Sequence, residues 1–282
     1  MDTCILCGGN SFQSMYDSTL KKCTHCGFVT ANMEISAEIL KDTYSINYFK
    51  GEEYMDYEKD KEILQQNFEK RIKLVKQISG AGIPVTDCFE IGCAYGFFGE
   101  VLLKHIKTNY KGIDVVPEAT GYAKEVLKLD VMSGDYLQQP APAVLYSDIF
   151  MWDVIEHLEY PGKFLKKSAA ELRKGGRIYI TTGDISSTLA RLKGRNWRMI
   201  HPPSHIHYFS KKHLIRLLDQ NGFSTVHVSY PPIYRSLRQI FYSLFLLKKS
   251  GKISVKLFNL IPSNLNIPFN TFDIILIAAV KN

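Results

Sequence analysis

The pattern of apolar and polar positions divides the chain into a long helix followed by alternating strands and helices. Between Lys59 and Ile78, apolar residues recur at helical spacing, and the glycine-containing segment 79–82 ends this helix. From residue 85 to Tyr230, short apolar strands alternate with helical segments, which predicts an α/β fold with a parallel, doubly wound sheet. The last segment, Thr271 to Lys281, is apolar and rich in β-formers, so we expect one more strand there.

The junction between the first strand of this series and its helix carries the strongest functional signal. Residues 87–103 read Asp-Cys-Phe-Glu-Ile-Gly-Cys-Ala-Tyr-Gly-Phe-Phe-Gly-Glu-Val-Leu-Leu, so a strand carrying Glu90 leads through Gly92 and Gly96 into a helix. Glycine lets a backbone approach a ligand closely, and the helix N-terminus offers free N–H groups to an anionic group. The dinucleotide pattern Gly-x-Gly-x-x-Gly does not fit, because Ala94 occupies its second glycine position.

Acidic residues follow the next strands at intervals that suit a nucleotide-like cofactor. Asp114 ends the second apolar segment, 18 residues after Gly96, near the spacing at which an acid binds ribose hydroxyls. Asp135 lies in the loop after a short third strand, and Asp153 follows the fourth. Together these positions predict a cofactor site along one edge of the sheet.

These segments, taken in order, resemble the class I S-adenosylmethionine-dependent methyltransferases over residues 85–230. The glycine loop is similar to that family's first motif, acid-x-Gly-x-Gly-x-Gly, and the Asp-Val-Ile-Glu-His-Leu run and the later Lys-Gly-Gly turn also match. The resemblance implies a Rossmann-like sheet of seven strands whose last strand, within 272–280, inserts antiparallel. It also implies that S-adenosylmethionine contacts Glu90, Gly92, Cys93, Gly96, Asp114, Asp135 and Asp153.

Methyl transfer requires the acceptor and the methyl group to be held in line, and it often requires removal of a proton. The resemblance places the methyl group near Glu156 and His157, after the fourth strand. A second histidine group, His-Pro-Pro-Ser-His-Ile-His-Tyr-Phe-Ser from residue 201, resembles a segment of methyltransferases of glycan and secondary-metabolite pathways. We take His205 as the first candidate base and His201 as the next, with a structural role as the alternative for each candidate. No cysteine or acid lies close to this group in the sequence, so we do not expect it to bind zinc.

Four of the six cysteines have the spacing of a zinc site. The pattern Cys-x2-Cys-x15-Cys-x2-Cys predicts one Zn²⁺ held by Cys4, Cys7, Cys23 and Cys26. Four thiolates complete the coordination of zinc, so the ion is expected to be structural. Residues 1–30 would form a zinc ribbon, which many members of the resembling group also carry.

The formal net charge of +7 is unevenly distributed over the 282 residues. Residues 1–30 are neutral overall, which argues against a nucleic-acid partner, whereas 231–258 hold six basic residues and no acid. This basic segment lies in an expected insertion, 231–269, before the last strand. Within it, 234–249 predicts an amphipathic helix that packs on the domain or a second subunit, contacts a membrane surface, or closes over the substrate. A monomer or a homodimer fits these features, and without a leader or spanning segment we expect a cytoplasmic protein.

The resulting domain organisation is a zinc ribbon at 1–30, a helical linker and substrate cap at 31–79, and a methyltransferase domain at 80–282. An aromatic patch in the cap, Tyr44, Tyr48 and Phe49, is expected to cover the acceptor, because tyrosine offers polyols a flat face and a hydroxyl. The leading hypothesis is methylation of a small molecule, such as a sugar or a metabolite, at oxygen or carbon. The alternatives are an RNA base methyltransferase and a cofactor-binding scaffold without catalysis.

Overall fold

The computed structural model describes residues 2–34, 39, 43, 57–80, 83–236 and 266–282. The N-terminal part contains β1 (Phe12–Met15), β2 (Leu20–Cys23), β3 (Val29–Ala31) and α1 (Lys61–Ser79). The central part contains β4 (Asp87–Ile91), α2 (Phe97–His105), β5 (Asn109–Asp114), α3 (Pro117–Glu125), β6 (Val131–Ser133), β7 (Tyr146–Trp152), α4 (Pro161–Glu171) and β8 (Leu172–Gly183). The remaining elements are α5 (Thr188–Lys193), β9 (His207–Tyr208), α6 (Lys211–Gln220), β10 (Phe223–Ser229), β11 (Ile233–Ser236), β12 (Asn266–Phe269) and β13 (Ile274–Lys281).

Seven strands form the main sheet in the order β10-β13-β8-β7-β4-β5-β6. The strands from β4 to β8 pair in parallel, whereas β13 pairs antiparallel with both β8 and β10. This confirms the predicted fold, including the antiparallel insertion of the last strand. Because these strands are parallel, their carboxyl ends lie at one edge of the sheet, where α/β proteins bind their ligands.

The core lies on both faces of this sheet because neighbouring residues of a strand point to opposite sides. Ile149 and Met151 of β7 face α4 and α6, whereas Phe150 between them faces α1, α2 and α3. All seven residues of β7 are buried. A nearly continuous apolar strand of this kind is typical of a parallel sheet covered on both faces.

The N-terminal strands join a second sheet together with a strand from the main domain. Its order is β1-β2-β3-β9, and β3 pairs antiparallel with β9 through Val29–Tyr208 and Thr30–His207. The Thr30 hydroxyl also donates to the carbonyl of Ile206 at 3.0 Å. The strands β1, β2 and β3, which lie in the predicted zinc-ribbon segment, are thus tied directly to the loop that carries His205.

Helix α1 packs on α2, the helix that begins directly after the glycine loop. Rings of Phe68 and Phe98 meet edge to face at 5.5 Å, and Lys61 pairs with Glu100 at 2.8 Å. The observed limits of α1, Lys61 and Ser79, each lie within two residues of the predicted limits, Lys59 and Ile78. The predicted aromatic patch, Tyr44, Tyr48 and Phe49, lies outside the described residues.

The segment before the last strand has a strand near each end, β11 and β12, and these two strands pair antiparallel. The backbone of Tyr234 is fastened to α1, because its N–H donates to the Asn67 side chain at 2.6 Å and its carbonyl accepts from the same amide at 3.1 Å. The amphipathic helix predicted from residue 234 is therefore wrong at its start, where 234–236 form a strand that the cross-strand partners in β12 stabilise. Residues 237–265 lie outside the described residues. Among the residues that the structure describes, no helix is long and apolar enough to cross a membrane.

Candidate active site and cysteine cluster

The glycine loop between β4 and α2 is held against the end of β5. The N–H groups of Gly92 and Cys93 both donate to the carbonyl of Ile113, at 2.8 and 3.0 Å. Gly92 and Gly96 have φ angles of 77° and 76°, in the left-handed region that favours glycine. A Cβ on Gly92 would lie 2.4 Å from Val154, so the residue is needed for space as well as for conformation.

Ala94, which replaces the middle glycine of the family motif, also has a left-handed backbone, with φ of 46°. Such a conformation costs an L-residue roughly 1–2 kcal/mol. The Asp114 carboxylate offsets this cost, because its Oδ2 accepts from the Ala94 N–H at 2.8 Å and its Oδ1 accepts from Val116 at 3.0 Å. A carboxylate has about four lone pairs, so Asp114 can accept these backbone hydrogen bonds and one from a ligand hydroxyl as well.

Glu90 and Cys93 lie below the loop and not at its surface. Glu90 is buried and accepts a hydrogen bond from the Tyr110 hydroxyl, and burial raises the pKa of its carboxyl to about 8. The Cys93 side chain is buried against Gly112, where an added Cβ would lie 2.9 Å away. Both side chains therefore support the loop from within, whatever part their backbones take in binding.

Asp135 and Asp153 stand at the carboxyl ends of β6 and β7. Asp135 is exposed and caps the short turn 136–138 by accepting from the Leu137 N–H at 2.9 Å. Asp153 has φ of 56°, and its carboxylate lies 3.2 Å from the guanidinium of Arg71.

Arg71 is a site residue that the sequence reasoning missed. It lies on α1, three residues after the buried Phe68, with its guanidinium 4.9 Å from the Trp152 ring centre. A cation on the apolar face of a helix was the only signal for it, and such a residue usually reaches a partner at the edge of the core. Here it reaches the edge of the sheet beside Asp153.

A group of histidines gathers beyond the end of β7, and the fold adds an acid to it. Ring centres of His157 and His205 are 4.6 Å apart, and those of His201 and His205 are 3.8 Å apart. Glu156 and His205 are buried and border a cavity of about the volume of one water molecule. The expectation that no acid accompanies these histidines was wrong, since the turn after β7 brings Glu156 from another part of the sequence.

Backbone carbonyls orient the two histidines nearest to Glu156. Nδ1 of His157 lies 2.8 Å from the Ser204 carbonyl oxygen, and Nδ1 of His205 lies 2.9 Å from that of Met199. Burial lowers the pKa of both rings, and burial together with His157 lowers the pKa of His201 to about 4. At neutral pH these imidazoles are uncharged, so each presents a lone pair.

The histidine group is adjacent to the glycine loop and is linked to the N-terminal sheet. Val154, which touches Gly92, is two residues before Glu156, and the Glu156 carbonyl accepts from the Ile206 N–H at 2.9 Å. His207 is the link: its Nδ1 lies 3.1 Å from the Thr30 hydroxyl, and its Nε2 lies 3.3 Å from the Glu159 carbonyl.

The four cysteines of the predicted zinc site come together. Their sulfur atoms all lie within 4.8 Å of one another, with Cys4 and Cys26 3.5 Å apart and Cys7 and Cys23 3.6 Å apart. Sulfur atoms arranged tetrahedrally about 2.3 Å from one ion stand about 3.8 Å apart, so the cluster fits Zn²⁺. Gly8 and Gly27, each after a cysteine pair, have φ of 72° and 80° and make the tight turns expected around such a site.

The fold and the glycine loop define a class I S-adenosylmethionine-dependent methyltransferase. A family model described as a methyltransferase domain matches residues 61–228, and the chain belongs to that family. A comparison with curated protein sequences gives no significant match.

Solved structures of the same fold are only distantly similar in sequence. A Thermotoga maritima S-adenosylmethionine-dependent methyltransferase is 18% identical with a TM-score of 0.52, and the match covers 80% of this chain and 94% of that one. A magnesium protoporphyrin IX methyltransferase from Synechocystis PCC 6803 with bound S-adenosylhomocysteine is 15% identical with a TM-score of 0.54, and the match covers 88% and 100%. A [4+2]-cyclase also matches, at 14% identity and a TM-score of 0.52 over 76% and 81% of the two chains. These likenesses show the fold alone, and the acceptor must be argued from the site.

Proposed function

We propose that this protein methylates a small polar molecule, a sugar or an intermediate of glycan or secondary metabolism, at oxygen or carbon. The observation that carries the proposal is the buried group of neutral histidines and Glu156 directly beyond the glycine loop. Uncharged imidazoles accept hydrogen bonds from hydroxyl groups without the strong charge attraction that would select a phosphorylated polymer.

The cofactor would lie over the glycine loop, with its ribose at Asp114. S-adenosylmethionine supplies a methyl group activated on a sulfonium. Asp114 has lone-pair capacity left for a ribose hydroxyl, and the exposed Asp135 stands one strand further along for the adenine. Arg71, held by Asp153 at 3.2 Å, offers a cation to the carboxylate of the cofactor's amino-acid part.

The histidine group would receive the acceptor and take part in removing its proton. The lone pairs of His205, His157 and His201 accept from an acceptor hydroxyl, and Glu156 supplies a buried carboxyl beside them. Most of the remaining rate enhancement would come from positioning, because the acceptor atom must stand in line with the methyl carbon and the sulfur.

We further propose that Cys4, Cys7, Cys23 and Cys26 hold one structural Zn²⁺. The ribbon is too short to bury a core of its own, so a metal is the expected source of its stability. Its role in function would be indirect: β3 supports β9, and β9 follows the loop that carries His205.

The proposal is tested by incubating the full chain with S-adenosylmethionine that carries an isotopic label in the methyl group. Three acceptor pools are compared: a small-metabolite extract, a set of nucleotide sugars, and total RNA. Labelled small molecules detected by mass spectrometry, dependent on His205, are the expected result. Label in RNA bases would replace the proposal with the nucleic-acid alternative. Cofactor binding without transfer to any pool would favour the scaffold.

A further inference from the structure

Three side chains with metal-ligand chemistry lie together between β7 and β9. One ligand atom from each of Glu156, His157 and His205 lies within 4.8 Å of the others. Glu156 and His205 are both buried. They are close in space although they are 49 residues apart in the sequence. Neutral imidazoles and a carboxylate within reach of one another are side chains that commonly bind a divalent transition metal.

The two histidines are held in the way that metal ligands usually are. The Nδ1 atoms of His157 and His205 lie 2.8 and 2.9 Å from backbone carbonyl oxygens. A carbonyl only accepts, so in each neutral ring Nδ1 carries the hydrogen and Nε2 carries the lone pair. A hydrogen bond from the second ring nitrogen fixes the tautomer and orientation of histidines that bind metals.

The ligand set selects the class of metal. Two imidazoles and one carboxylate suit Zn²⁺, Fe²⁺, Co²⁺ or Mn²⁺ better than Mg²⁺ or Ca²⁺, which favour oxygen alone. Ligands about 2.1 Å from a shared ion stand about 3 to 3.5 Å apart, so the three side chains would converge by about an ångström on binding. Three protein ligands leave coordination positions open, in contrast to the four thiols of the cysteine cluster.

We propose that Glu156, His157 and His205 bind one divalent transition-metal ion whose open position takes a hydroxyl oxygen of the methyl acceptor. The identity of that occupant rests on the proposed function, whereas binding of the ion rests on the three side chains alone. The ion would take the place of the direct hydrogen bonds from the acceptor hydroxyl to His157 and His205: it would lower the pKa of that hydroxyl, which then releases its proton to solvent water. The O–CH₃ bond forms as the cofactor's C–S bond breaks, and S-adenosylhomocysteine leaves as a neutral thioether.

The probe for this site is Mn²⁺, because it binds oxygen and nitrogen ligands and competes poorly for thiolates. The full chain is purified with zinc, dialysed against a chelator, and titrated with Mn²⁺ by calorimetry and electron paramagnetic resonance. Elemental analysis counts zinc in the same samples. We expect one Mn²⁺ per chain in addition to one zinc. Glu156→Gln and His205→Ala should weaken Mn²⁺ binding at least tenfold and leave the zinc content unchanged.

Matched controls separate this site from adventitious binding. Glu159→Gln changes a nearby carboxylate and His227→Gln changes a histidine of β10, and both should bind Mn²⁺ like the parent protein. No Mn²⁺, Co²⁺ or second Zn²⁺ bound by the parent protein would overturn the proposal, as would binding that survives both ligand variants. Methyl transfer is not part of this readout. If the ion binds but no acceptor is methylated, the proposed function fails and the site stands.

A measurement on the unmodified protein keeps the test decisive if the buried variants do not fold. In ¹⁵N-labelled protein, Zn²⁺ added beyond the first equivalent should shift the Nε2 resonances of His157 and His205 and leave that of His227 unchanged. Unshifted resonances of His157 and His205 at saturating zinc would overturn the proposal.

Discussion

The two halves of the proposed site are built in different ways. The cofactor half, the loop Gly92–Gly96 with Asp114 and Asp135, comes from successive strand ends between residues 92 and 135, and hydrogen bonds to β5 fix it. The acceptor half, Glu156, His157, His201 and His205, joins a turn after β7 to a loop before β9, and β9 depends on β3 of the N-terminal sheet. Damage to the N-terminal sheet should therefore reach the acceptor half and spare the cofactor half.

The most severe test of this difference is loss of the cysteine cluster. Cys23→Ser removes one of the four proposed zinc ligands, and structural zinc contributes on the order of 10–16 kcal/mol to small zinc-binding peptides. We expect zinc loss, rapid proteolysis within residues 2–34 and a collapse of turnover, while the cofactor affinity measured by calorimetry changes less than threefold. Cys88→Ala, at a buried thiol outside the cluster, is the control. Equal losses of turnover and cofactor affinity would break the distinction between the halves.

His205→Ala tests the acceptor half directly. A positioned proton-transfer or activating group typically contributes about 10²–10⁴ in rate, so turnover should fall by that order and cofactor affinity should hold. Steady-state kinetics with labelled cofactor give the first quantity and calorimetry gives the second. His227→Gln should match the parent protein. A change confined to cofactor affinity would mean that His205 belongs to the cofactor half.

Asp114→Ala tests the cofactor half. The substitution would remove the proposed ribose contacts, and it leaves the N–H groups of Ala94 and Val116 without the carboxylate to which they now donate. Loss of a charge-assisted acceptor costs about 1.5–3 kcal/mol, so cofactor affinity should fall roughly 10- to 150-fold in calorimetry. Asp130→Ala, at an exposed acid before β6, should bind normally. Unchanged affinity in Asp114→Ala would remove the ribose assignment.

Glu90 gives the cofactor half a dependence on pH. Burial raises the pKa of its carboxyl from 4.5 to about 8, so between these values the folded chain keeps a proton that the unfolded chain releases. The stability that this group contributes is therefore present below pH 4.5 and lost as the pH rises through 8. Relative to Glu90→Gln, the parent protein should lose about 2 kcal/mol of unfolding free energy between pH 5 and pH 7. Urea unfolding at the two pH values measures this, with Glu118→Gln as the exposed control. A constant difference would mean that Glu90 is ionised in the folded protein.

The smallest expected effect comes from the strand pairing itself. Thr30→Val keeps the shape of the side chain but removes hydroxyl contacts to Ile206 and His207. Each such bond contributes about 1 kcal/mol, which corresponds to about a fivefold change in turnover if it is felt in the transition state. Cofactor affinity should not change. If turnover also stays constant, the loop holds His205 without help from β3.

The sequence predicted the parts of the site whose partners are close along the chain. The cysteine spacing, the glycine loop and Asp114 follow from local geometry, and the alternation of strands and helices placed them on the right fold. The joining of Glu156 with His205 was not visible, because their segments are far apart in the sequence and meet only in the fold, where the Glu156 carbonyl accepts from the Ile206 N–H. The two-residue strand β9 is too short to give a periodic signal, and Arg71 was hidden in the apolar face of α1.

The pairing of β3 with β9 also sets an order for the synthesis of the protein. The cysteines leave the ribosome before β9 and can take up the proposed zinc early, but the free edge of β3 has no partner until His207 has been made, 177 residues after Thr30. An unpaired strand edge is prone to associate with other chains, and contacts of such long range form slowly. A nascent chain halted between residues 34 and 200 would thus expose the unpaired edge of β3, even if the ribbon had already bound zinc. Rapid synthesis of the segment that contains β9 would therefore limit association with other chains.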